Sequence, residues 1–149
     1  MLSIAMLAAS TSEWPTYLNA RFGFSTCYPA ALLKPLPESD NGDGRVFVGT
    51  KKSALRVYGR NNALERTLAQ EYAAEQDRIA KAGAKISYKA TGKGWFVVSG
   101  SYDGLVFYAK TYAVPGDQFN TFELTYPANE TKSWSAIVKR VNRCFAPSR

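Results

Sequence analysis

Hydrophobic and polar positions along this chain alternate, then recur at helical spacing, then alternate again, and return to helical spacing near the end. Residues 17–28, YLNARFGFSTCY, set Phe22, Phe24, Thr26 and Tyr28 against Gly23, Ser25 and Cys27, which predicts one strand with a lead-in, ended by Pro29. Residues 45–50 and 54–58 read as short strands joined through Lys51, Lys52 and Ser53 as a hairpin, while Pro35 and Pro37 keep 29–40 out of any element interior. From 61 to 83 the spacing of Leu64, Leu68, Tyr72 and Ile79 predicts an amphipathic helix, capped by Asn61 or Asn62 and ended by Gly83. Alternation returns in residues 84–91, 95–100, 104–113 and 118–126, separated by the turn signals Gly92-Lys93-Gly94, Tyr102-Asp103-Gly104 and Pro115-Gly116-Asp117. Links this short make the four runs an antiparallel meander. Residues 130–145 then place Trp134, Ile137, Val138, Val141, Cys144 and Phe145 on one stripe of a second helix.

Helices before and after a meander imply the α+β class: one antiparallel sheet of about six to seven strands sandwiched by two helices. A chain of 149 residues, 46% hydrophobic and 21% charged, without repeat or low-complexity tract, suits a single domain over 17–146. Ahead of it, residues 1–12, MLSIAMLAASTS, pass from a short apolar run into small residues, as the end of a secretory signal does. No Lys or Arg precedes the run, so the segment reads as a signal-peptide remnant or as an N-terminal extension packed on the core. It is too short to cross a bilayer, which takes roughly 20 apolar residues.

Residues 37–45, PESDNGDGR, have the carboxylate, amide and glycine density of a calcium loop. Such a loop needs Gly at its sixth position and Glu at its twelfth. Counted from Asp40 these positions hold Arg45 and Lys51, and from Asn41 they hold Val46 and Lys52. A turn leading into the strand Val46-Phe47-Val48 accounts for the segment instead.

The opening phrases Tyr17-Leu18-Asn19, Phe22-Gly23-Phe24-Ser25 and Tyr28-Pro29-Ala30 resemble the start of proteins with the PsbP-like fold. That fold is shared by the extrinsic PsbP subunit of photosystem II and a small Ran-binding nuclear import factor. The order of strands, helix, meander and final helix is similar as well. In detail the chain is most similar to small exported proteobacterial proteins without an assigned activity, through Asn41-Gly42-Asp43-Gly44-Arg45, the run from Trp95 to Gly100, and Arg143-Cys144-Phe145. The resemblance implies a binding or assembly subunit. It carries over no catalytic residue and no metal ligand.

Catalytic motifs are scarce. The chain has no His, which excludes Ser-His-Asp and Cys-His nucleophile systems and His-ligated zinc. Gly92-Lys93-Gly94 lacks the first glycine and the Ser/Thr of a phosphate-binding P-loop, and no cofactor motif is present. Glu123 shares a strand face with Phe119, Thr121 and Thr125 and is expected to meet Tyr108 or Lys110 of the preceding strand. As a lone carboxylate it fits cross-strand pairing better than glycosidase-type chemistry, which requires a second carboxyl group. An envelope enzyme centred on Glu123 is the alternative reading.

A net charge of +7 and a pI near 9.5 favour anionic partners. Lys132, Lys139, Arg140 and Arg143 stand opposite the apolar stripe of the last helix, most of them sharing one side. They form a candidate surface for an acidic protein, lipid head groups or a wall polymer, or else a solvated face complementing the helix dipole. Nucleic acid is not expected, because Trp95, Phe96, Tyr108 and Tyr112 fit strand interiors without a stacking role.

Cys27 lies near the end of the first strand and Cys144 on the apolar stripe of the closing helix, so both point toward one core. Either they form a disulfide, which suits an exported protein, or they remain two buried thiols. Taken together, the chain reads as a monomeric, periplasmic or secreted bacterial protein that binds an envelope protein or an anionic envelope component without catalysis.

Overall fold

The computed structural model describes residues 13–149, and the signal-like segment 1–12 lies outside the described residues. In chain order the elements are β1 (Thr16–Leu18), β2 (Ser25–Cys27), β3 (Lys34–Pro35), β4 (Gly44–Val48), β5 (Ala54–Asn61), α1 (Leu68–Lys81), β6 (Lys85–Gly92), β7 (Trp95–Tyr102), β8 (Leu105–Val114), β9 (Gln118–Pro127) and α2 (Thr131–Cys144). Strands β3 to β9 form one seven-stranded antiparallel sheet in the order β3-β4-β5-β9-β8-β7-β6, and β1 pairs with β2 as a separate ribbon. The expected meander is β6 to β9.

The pleat sorts the side chains of β9 between two layers. Phe122, Leu124 and Tyr126 join Leu55, Val57 and Phe47 in the larger core, which Trp134, Val138 and Val141 of α2 close. On the opposite face Phe96, Val98 and Phe107 form a smaller core with Ile79 of α1. Polar groups are also buried on that face: Thr111 and Thr121 share a hydrogen bond, and Glu71 of α1 is paired with Arg60 of β5.

Two segments differ from the sequence-based expectation. Residues 17–28 are a hairpin instead of one strand, because the side chain of Asn19 accepts a hydrogen bond from the Phe22 backbone at 2.7 Å and Gly23 takes a left-handed φ of 79°. The Asn19 amide group donates to the Tyr17 hydroxyl and the Gly42 carbonyl, so the turn is tied to the loop before β4. Phe22 then lies flat on β5 over Gly59, where a Cβ would come within 2.4 Å of its ring.

The first helix begins at Leu68, and Asn61 and Asn62 do not cap it. Thr67 is the cap: its hydroxyl accepts from the Gln70 backbone at 3.1 Å and the Gln70 side chain accepts from the Thr67 backbone at 2.9 Å. Upstream, Asn61 still pairs with Gln118 as part of β5, Asn62 holds a turn through Arg66, and Glu65 has a φ of 50°. Leu64 is consequently 69% exposed and takes no part in the apolar stripe. A further difference is minor: Pro35 sits in the two-residue edge strand β3, where its missing N–H is harmless.

Cys27 and Cys144 are joined by a disulfide, with Cα atoms 5.9 Å apart across 117 positions of sequence. It fastens β2 to the end of α2. Beyond it, Ala146 exchanges backbone hydrogen bonds with Ser25, and Ser148 reaches Asn120.

Replacing both cysteines by Ser is expected to lower unfolding free energy by about 2 to 5 kcal/mol, from chain entropy across a long loop. Urea denaturation of oxidised protein against the double variant measures it, and equal midpoints would contradict the assignment. Asn19→Ala, which removes a fully buried side chain and its hydrogen bonds from the turn, is expected to cost about 2 to 4 kcal/mol in the same assay.

Candidate functional site

The amphipathic period of α2 that buries Trp134, Val138 and Val141 leaves Lys132, Lys139 and Arg143 exposed along one row at spacings i, i+7 and i+11. None of these three cations lies in an ion pair among the described residues. Arg140 departs from the row and stacks its guanidinium 4.2 Å from the Trp14 ring centroid. The row therefore concentrates unneutralised charge, while Arg140 fixes the chain just before β1 against the helix.

Glu123 does not meet Tyr108 or Lys110. Its direct neighbours are Ala109 on β8 and Arg56 on β5, whose guanidinium lies 3.9 Å away. Tyr108 and Lys110 stand opposite Leu124 and Phe122 and thus point to the α2 side of the sheet. The three-residue link of Pro115, Gly116 and Asp117 pairs Val114 with Gln118, and counting back from that pair places Ala109 opposite Glu123. The turn signal was legible in the sequence; the register it imposes was the missing step.

Glu123 lines a cleft of about 230 Å³ between α1 and the sheet, with Arg78, Ile79, Ala82, Ala84, Tyr102 and Phe107. Its side chain is 25% exposed, and burial pushes its carboxyl pKa above the ordinary value, against the opposing attraction of Arg56 and Arg78. Arg78 is itself held by the Glu75 carboxylate. Burial also raises the Tyr58 phenol, with the Glu123 charge adding to the effect. The cleft thus presents one carboxyl group biased toward protonation, with arginines already engaged and apolar walls.

On the other face, Lys110 sits in a frame that sequence reasoning missed. Its Nζ lies 4.3 Å from the Trp95 ring centroid and 4.9 Å from that of Tyr112, and donates to Asn142 Oδ1 at 3.3 Å. The two-residue Asp103-Gly104 turn sets Tyr102 opposite Leu105, and that register brings Trp95 opposite Tyr112 and Val97 opposite Lys110. Helix and strand meet there, which no local pattern announces.

The arrangement of a seven-stranded sheet between two helices matches solved structures. A solution structure of cyanobacterial PsbP from Synechocystis sp. PCC 6803 superimposes with a TM-score of 0.66 at 13% identity, covering 94% of this chain and 95% of that one. The chain has a PsbP-like fold. A crystal structure of the Saccharomyces cerevisiae Ran-binding protein Mog1p matches with a TM-score of 0.61 at 9% identity, covering 92% and 96%. No family model matches the chain, and no curated protein does. At these identities the PsbP-like likeness extends to the fold alone, so function rests on the side chains.

Burial favours protonated Glu123 in the folded state, so its contribution to stability is full below the unfolded value of 4.5 and is lost as pH rises through the higher folded value. Glu123→Gln is therefore expected to raise the melting temperature at pH 7, with the gain vanishing below about pH 4. Thermal melts of both proteins across that range check the sign; a loss of stability at pH 7 would show that the Arg56 pair dominates.

Proposed function

We propose that this PsbP-like chain is a non-catalytic binding or assembly protein of the bacterial cell envelope that docks an anionic partner on the outer face of α2. The single observation that carries the reading is the row of Lys132, Lys139 and Arg143, exposed and without counter-charges among the described residues. Formal charge of +7 adds a long-range field of the same sign. The Cys27–Cys144 disulfide supports an oxidising compartment, in agreement with the signal-like composition of residues 1–12. A structural neighbour described as a Ran-binding protein supports a binding role for the scaffold.

The enzyme alternative asks more of Glu123 than its surroundings provide. Its cleft holds no second carboxylate among the lining residues, and the nearby Glu75 is committed to Arg78.

At low ionic strength the chain is expected to sediment with phosphatidylglycerol vesicles and not with phosphatidylcholine vesicles, and to be released as salt screens the contact. Reversing Lys139 and Arg143 to Glu should abolish sedimentation, whereas the same charge change at Lys81 and Lys85, around the end of α1, should weaken it only modestly. Equal loss from both pairs, or no sedimentation at low salt, would overturn the α2 assignment.

A further inference from the structure

The sheet is wider than the helix that covers its larger core. α2 packs against β9 and the β2 ribbon, leaving the same face of β6, β7 and the far side of β8 beside it without a helix over it. Three rows of side chains cross this open area: Tyr88, Ser99 and Tyr108; then Ala90, Val97 and Lys110; then Gly92, Trp95 and Tyr112. Small residues occupy the middle row of β6 and β7, with aromatic rings on either side; Val97 is buried, so the accessible surface belongs to the larger side chains around it.

A bulge in β6 puts Tyr88 there. Ile86 is paired with Gly100 and packs on the α1 side, and in a regular strand Tyr88 would follow it. The register shifts between Ile86 and Tyr88, so the extra residue Ser87 turns Tyr88 to the opposite face, across from Ser99. There the ring is 54% exposed, next in line to Tyr108. Simple core packing gives no reason to turn an aromatic side chain outward in this way.

The charge of the area is equally unbalanced. Lys110 is half-buried, and no carboxylate lies within ion-pair distance of it among the described residues. One of its donors reaches Asn142, leaving others free, and the ring faces of Trp95 and Tyr112 stabilise the cation only in part. Burial lowers its pKa, as expected for an ammonium awaiting a counter-ion. Asn142 donates to the Tyr108 hydroxyl at 3.0 Å, which frees the phenolic proton for another acceptor.

We propose that this open area is a binding platform for an acidic sugar, whose ring stacks on Tyr88 and Tyr108 and whose carboxylate pairs with Lys110. A hexuronate combines the features the surface asks for. Its C–H face is apolar enough to lie on aromatic rings, its hydroxyls match the Tyr108 and Asn142 groups, and its carboxylate supplies the missing charge. Tyr88 and Tyr112 lie in rows four residues apart along the strands, roughly 13 Å, so the platform suits an oligosaccharide better than a monosaccharide. A lipid surface fits less well, because Tyr88 is the single large hydrophobic side chain exposed on these rows. The site is separate from the outer row of α2 and does not rest on its role.

Calorimetric titration of the full chain with an oligogalacturonate, against a neutral maltooligosaccharide of matched length, tests the proposal. The acidic ligand is expected to bind saturably and at least about tenfold more tightly than the neutral one, and Tyr88→Ser and Lys110→Gln are each expected to weaken it about tenfold. Reversal of Lys132 and Arg143 on the outer row should change its affinity less than about threefold, since that row lies beyond the platform and is largely screened. No saturable binding, equal affinity for the neutral saccharide, or an affinity untouched by Tyr88→Ser overturns the proposal. Tyr88 is exposed, so its variant remains informative even if Lys110→Gln proves poorly folded. Loss on reversing the outer row with no effect at Tyr88 would place the glycan on α2 and overturn the platform while leaving the docking reading of α2 intact.

Discussion

The pairing of β9 between β5 and β8 is the constraint on which the remaining structure depends. Hydrogen-bonded along both edges, β9 sends Phe122, Leu124 and Tyr126 toward α2 and Thr121, Glu123 and Thr125 toward α1. A slip of one residue would exchange the two sets, exposing the aromatic row and burying a carboxylate under α2. From this register comes the asymmetry of the two layers. The α2 side is a dense aromatic core in which Phe122 and Tyr112 each pack on Phe145. The α1 side mixes a small apolar cluster with threonines and charged pairs.

That asymmetry explains how each helix is held. α2 docks through buried apolar contact and is then fixed covalently at its end, while the C-terminal residues continue across β2 and reach Asn120 beneath the sheet. α1 relies more on specific polar links, the Thr67 cap and the Glu71 pairs with Arg60 and Arg66. Burying Glu71 is tolerable because two guanidinium groups face it. Glu123, with one distant arginine as its direct ion-pair partner, is less well compensated, and the neighbouring cleft reflects incomplete packing at that point.

Within this scaffold the cationic row of α2 and Lys110 with its aromatic neighbours lie on the same side of the sheet. The outer row of the helix and the Lys110 platform flank one another but arise from different periods, one helical and one of the sheet. PsbP-like folds with very different sequences share the scaffold, so the chemistry of any one member has to come from such surface residues. Here those residues place cations without a carboxylate partner among the described residues in two positions, on the outer row of α2 and at Lys110.

The sequence alone determined the α+β class, the meander, both helices, the stripe of α2 and its cationic opposite face. Those features are local: a period of two or 3.6 and a turn residue fix them within a few positions. The Thr67-x-x-Gln70 cap is a local signal too, but Asn61 and Asn62 offer the same cap chemistry, and in the fold their side chains serve a strand end and a turn instead. Cys27 and Cys144 pointed to one core from their positions, but only the fold brought them within bonding distance. Tertiary structure alone decided that 17–28 reverses at Asn19, because the partners that hold that turn include Gly42 far along the chain. It likewise decided which side chains cross the sheet together, setting Glu123 against Arg56, turning Tyr88 outward through a bulge and enclosing Lys110 between rings. Pairing register is a relation between strands, and the free energy that selects it comes from contacts no single segment contains.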